Sequence, residues 1–84
     1  MDERDEHKLR TKLRDVIRKL EDGLSPTMTV RQLLSAAGAE RRGVRVTAEI
    51  RSVLQEYNLR TVPDFDEVGG GQGGLDGRFK FDWT

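Results

Sequence analysis

The apolar positions of this chain fall into three helical stripes followed by one alternating run. Leu9, Leu13, Val16, Ile17 and Leu20 stand at i, i+4, i+7, i+8 and i+11, one face of a helix with 3.6 residues per turn. Acids crowd the start of this segment and bases its later turns, which complements the helix dipole. The spacing predicts a helix over residues 4–22. Gly23 follows as a left-handed cap, with Leu24 placed to fold back as its apolar partner.

Ser25-Pro26-Thr27 reads as a turn. Thr29-Val30-Arg31-Gln32 has the form of a capping box, and Met28 and Leu33 are placed for a hydrophobic staple. Val30, Leu33, Leu34 and Ala37 then predict a short helix over 30–37, closed by Gly38. A turn bounded by Gly38 and Gly43 leads to Val46, Ile50, Val53, Leu54 and Tyr57, which predict a third helix over 44–58. Asn58 suits its left-handed end.

The remainder reads as β-structure. A strand is expected over 60–65, with Pro63 confining it to an edge or an end. Residues 68–77 hold six glycines in ten and read as a flexible loop. Phe79, Phe81 and Trp83 alternate with Arg78, Lys80 and Asp82, the period of a half-buried strand over 78–83. Three aromatics on one face predict that this strand packs against the helices. The expected fold is α+β and mainly α: one domain over 1–84, three helices followed by a β-hairpin that leans on them. This is the layout of a winged helix-turn-helix, with the hairpin as the wing.

Composition narrows the function. The 84 residues are 35% hydrophobic and 36% charged, and the fifteen bases balance the fifteen acids. The balance is uneven along the chain. Residues 23–60 carry six arginines against three glutamates, and residues 61–84 two bases against five acids. The basic middle attracts phosphates locally, but the whole chain lacks the strong basic excess of a non-specific nucleic-acid binder. The absence of cysteine excludes disulfides and thiolate metal sites and fits a cytoplasmic protein. No apolar run approaches the ~20 residues of a membrane span, and the acidic start is unlike a secretory signal.

The third helix carries the candidate chemistry. With Val46, Ile50, Val53, Leu54 and Tyr57 facing inward, the opposite face presents Val44, Ala48, Arg51, Ser52 and Gln55, with Arg45 beside it. Small side chains permit close approach to a groove. Arginine reads guanine and glutamine reads adenine through paired hydrogen bonds. Arg41 and Arg42 precede the helix, where phosphate contacts belong. The candidate nucleic-acid-binding residues are therefore Arg41, Arg42, Arg45, Ala48, Arg51, Ser52 and Gln55. Two features oppose this reading: Glu49 and Glu56 flank the same face, and residues 68–77 offer no cation to grip a backbone. Arg41 and Arg42 also fit a structural role, pairing with acids such as Glu40 or Asp64 to brace the turn.

Other chemistry finds little support. His7, the sole histidine, lies in a charged turn and has no nucleophile to serve. Asp64, Asp66 and Glu67 lack the spacing of a calcium loop. The glycine run 69–74 lacks the Lys-Ser/Thr and helix of a phosphate loop. The chain is expected not to be an enzyme and to need no cofactor.

The stretch from Thr29 through Leu33-Leu34, Gly38, Arg41-Arg42-Gly43, Val46, Ile50 and Leu54 to Leu59, Thr61 and Pro63-Asp64-Phe65 resembles a winged-helix module of multidomain bacterial regulatory and conflict proteins. The resemblance covers residues 29–65. Ala37 departs from an expected aromatic and Asn58 from an expected glycine. The resemblance implies a regulatory or recognition module and assigns no functional residue.

Two functions follow as expectations. The first is a DNA-binding, transcription-regulating winged helix that inserts its third helix into the major groove of double-stranded DNA. The second is a protein-interaction module that docks a partner through the third helix or the hairpin. A homodimer paired through the first helix, or an aromatic tail that adds a strand to a partner's sheet, are further forms of association.

Overall fold

The computed structural model describes residues 1–68 and 74–84. Half of the expected glycine-rich loop, residues 69–73, lies outside them. Helix α1 spans Glu3–Glu21, strand β1 Thr27–Thr29, α2 Val30–Ala36, α3 Val44–Glu56, β2 Leu59–Val62 and β3 Arg78–Trp83. The fold is α+β and mainly helical, with a three-stranded antiparallel sheet in the order β1-β3-β2.

Local chemistry explains each helix end. The Asp2 carboxylate accepts from the Asp5 N–H at 2.9 Å and caps α1. The expected capping box forms at α2: the Thr29 hydroxyl accepts from the Gln32 N–H at 3.1 Å, and the Gln32 amide oxygen accepts from the Thr29 N–H at 2.9 Å. Both α1 and α2 close with paired reverse bonds. Leu24 N–H reaches the Lys19 carbonyl and Gly23 N–H that of Leu20; Ala39 and Gly38 repeat the pattern on Leu34 and Ser35. Gly38 has φ +72°, and a Cβ there would collide with the Asp5 side chain. Asn58 takes the left-handed conformation after α3, as expected.

The stripes meet in one core. Leu9, Leu13 and Val16 of α1, Leu33 and Leu34 of α2, and Ile50, Val53 and Leu54 of α3 are buried with Met28, Leu59, Phe65, Phe79 and Phe81. Val46 and Tyr57 are only half-buried, and Thr47 takes a buried place on the inner face of α3.

Four expectations are corrected. Residues 27–29, read as the end of a turn and the start of a cap, form β1, which pairs with β3 through Met28 and Phe79. A third strand therefore supports the hairpin. The strand expected over 60–65 ends at Val62; Pro63 breaks it, and the chain turns so that Phe65 drops into the core with its N–H on the Thr61 hydroxyl at 2.8 Å. Phe79 and Phe81 are 2% exposed and meet edge to face, but Trp83 is 40% exposed. It stands opposite the buried Leu59, in the last pair of the β2–β3 ladder. Leu24 also stays outside, at 56% exposure, so the backbone cap of α1 forms without its apolar partner.

Candidate nucleic-acid interface

The candidate interface is built on α3. Gly43 caps the helix without a side-chain bond, its carbonyl accepting from the Thr47 N–H at 2.9 Å. Packing of Ile50, Val53 and Leu54 into the core turns the other face outward. Val44, Arg45, Ala48, Ser52 and Gln55 are exposed, as is Arg41 in the preceding turn. Val44 reaches 91% exposure. Of the seven candidate residues, five therefore share an accessible surface: Arg41, Arg45, Ala48, Ser52 and Gln55.

The other two are engaged by the rest of the fold and only partly buried. The Arg42 guanidinium donates to the carbonyls of Phe65 and Val68, both at 2.9 Å and part-buried. Arg51 donates to the Asp64 carboxylate at 3.1 Å and lies over the Phe65 ring, 5.2 Å from its centroid. Both arginines brace the turn that follows β2. The sequence suggested such a brace, but with acids as Arg42's partners. The carbonyl acceptors arise because the chain bends at Pro63 and presents backbone oxygens to the α3 N-terminus.

The opposing glutamates change character as well. Glu49 accepts from the Met1 ammonium at 2.7 Å. Glu56 takes a two-pronged contact from Arg10 at 2.5 and 3.2 Å, and Arg10 also bonds Glu6 and lies against Tyr57. The bond from Arg10 holds the Glu56 carboxyl below its ordinary value, while Glu56 foremost pushes Arg10 up. Both glutamates flanking the outer face thus carry a cation of their own. Among the described residues, Arg41 and Arg45 make no ion pair and no side-chain hydrogen bond.

A second cationic surface was missed. Arg78 and Lys80 project from the outer face of the sheet, beside Thr29 and Thr27 of β1, and Arg60 pairs with Asp82 there at 3.3 Å. The alternation of residues 78–83 marked these positions as polar. It did not reveal that β3 is central, which flanks them with strands on both sides.

Other candidates remain bland. His7 is exposed, and among the described residues no cluster of histidine and carboxylates suits a metal ion. Asp64 is committed to Arg51, whereas Asp66 and Glu67 face solvent. Among the described residues, no helix is long and apolar enough to cross a membrane. Comparison of the chain with protein-family models, curated proteins and solved structures finds no match.

Proposed function

We propose that the domain is a winged helix-turn-helix module that binds double-stranded DNA through α3. One observation supports the reading: Arg45 on the outer face of α3 and Arg41 in the turn before it have no side-chain partner among the described residues and stand with Ser52 and Gln55 around the small Ala48, while Glu49 and Glu56 pair with the Met1 amine and Arg10. Arginine and glutamine read base edges, Ser52 accepts or donates to either, and Val44 supplies an apolar contact for a thymine methyl. Arg42 and Arg51 act one step back, fixing the angle between α3 and the turn after β2. The order helix, strand, helix, helix, hairpin supports this reading, in which α2 and α3 would serve as the helix pair.

The test is fluorescence anisotropy with a labelled random duplex at low and rising salt. Binding is expected to weaken linearly in log salt, since neutralised phosphates release counterions. Arg41→Glu/Arg45→Glu should abolish it without changing the thermal midpoint. Binding absent at low salt sinks the proposal.

A protein-docking reading draws on Val44. An apolar side chain 91% exposed at the start of α3 suits a partner's pocket better than water. It predicts that the domain binds no duplex even at low salt and that Val44→Ser weakens binding of the protein partner.

A further inference from the structure

On α1 and α2, the structure holds a groove of about 500 Å³ that takes no residue from α3. Its floor is apolar, formed by Val16, Met28 and Ala36. Its rim is cationic. Lys8, Lys12 and Lys19 recur along one side of α1, and Arg31 stands on α2. Against these four cations, Asp15 is the single carboxylate in the lining, and Lys19 and Arg18 already hold it at 3.2 and 2.6 Å. Arg31 pairs with Asp76, and Lys8 donates to the Ser35 carbonyl at 3.2 Å. The Lys12 side chain has no hydrogen bond or ion pair among the described residues.

An open strand edge meets the groove. β1 lies at the end of the sheet. The Pro26 carbonyl accepts from the Phe81 N–H at 3.0 Å and the Val30 N–H donates to Gly77 at 3.1 Å. In an antiparallel ladder alternate residues direct their backbone groups to the same neighbour. Pro26, Met28 and Val30 thus face β3, and the N–H and C=O of Thr27 point to the outer edge. Thr27 also lines the groove.

We infer that this groove receives an acidic, extended segment of a partner protein. Its backbone pairs with Thr27, its carboxylates meet Lys8 and Lys12, and an apolar side chain rests on Val16 and Met28. Charge complementarity and the apolar floor select this occupant. A DNA duplex offers a convex wall of phosphates, which a recessed apolar floor does not match. A single nucleic-acid strand needs aromatic side chains on which to stack its bases, and the lining holds none. The inference is independent of the role of α3, because the two surfaces share no residue.

The test uses a fluorescein-labelled peptide in which glutamates alternate with leucine and serine, and the same peptide with lysine for every glutamate. The glutamate peptide should bind the full chain and the lysine peptide should not. Lys8→Gln/Lys12→Gln should weaken binding at least about tenfold. Thr27→Pro, which removes the outward N–H and spares the ladder to β3, should weaken it as well. Arg41→Glu/Arg45→Glu should leave peptide binding unchanged while removing duplex binding. Thermal melts of each variant establish that it is folded. Absence of peptide binding, equal binding of both peptides, or undiminished binding in folded Lys8→Gln/Lys12→Gln overturns the inference. So does a duplex that competes for the groove, because the site is then a nucleic-acid surface.

Discussion

Two pairs of arginines stand within eleven positions of one another and do opposite work. Arg42 and Arg51 are engaged by the fold, one by two carbonyls and the other by Asp64 and the Phe65 ring. Arg41 and Arg45 point to solvent with no partner among the described residues. The difference lies in geometry, not in residue type. The chain after β2 folds back against α3 within reach of Arg42 and Arg51, whereas Arg41 and Arg45 meet no acceptor among the described residues. A count of cations near a helix therefore overstates the charge available to a ligand, here by a factor of two.

The contrast can be broken from its structural side first. Phe65→Ala removes the buried ring beneath Arg51 and should cost about 3–5 kcal/mol in chemical denaturation. Arg42→Ala leaves two part-buried carbonyls without their donor and should cost about 1–3 kcal/mol by the same measurement. If it costs nothing, the brace is dispensable and Arg42 returns to the candidate ligand set. The Arg51–Asp64 pair is half-exposed, so a double-mutant cycle should find a coupling of only about 0–1 kcal/mol.

Acid sharpens the comparison through the carboxylates that hold other cations. Arg10 lowers Glu56, Arg31 lowers Asp76, Lys19 lowers Asp15, and the Trp83 N–H with Arg60 lowers Asp82. A folded-state value below the unfolded one stabilises the protein at neutral pH, and that contribution is lost as pH falls through the lowered values. The urea midpoint should stay flat from neutral to mildly acid pH and fall below the usual carboxylate range. Arg10→Ala should make the fall shallower. The smallest effect belongs to the exposed pair: Arg41→Ala/Arg45→Ala should change stability by no more than about 0.5 kcal/mol. A larger loss would show that these arginines too have structural partners.

Much of the architecture was legible in local patterns. Three apolar stripes at helical spacing located the helices to within two residues at each end. The capping box at Thr29 and the left-handed residues at Gly23, Gly38 and Asn58 punctuated them, because these signals depend only on neighbours in the chain. β1 was not legible. Its three residues are too few to show a period, and it exists because the free edge of β3 pairs with it. Trp83 misled for the opposite reason. It keeps the alternation of Phe79 and Phe81, but periodicity says which side a residue faces and not whether anything covers that side. In the candidate site, the outward face of α3 followed from its apolar stripe. The capture of Arg42 and Arg51 did not, since Phe65 and Val68 lie more than ten positions away in sequence.

By itself the sequence determined the helices, their ends, the outward face of α3 and the aromatic strand, since all of these rest on periods and caps read within a few residues. Only the tertiary structure decided the sheet order, the exposure of Trp83, the neutralisation of Glu49 and Glu56, and the union of Lys8, Lys12, Lys19 and Arg31 around one groove. Those facts join residues far apart in the chain. They follow from where the packed core leaves an edge, a gap or an opposite charge.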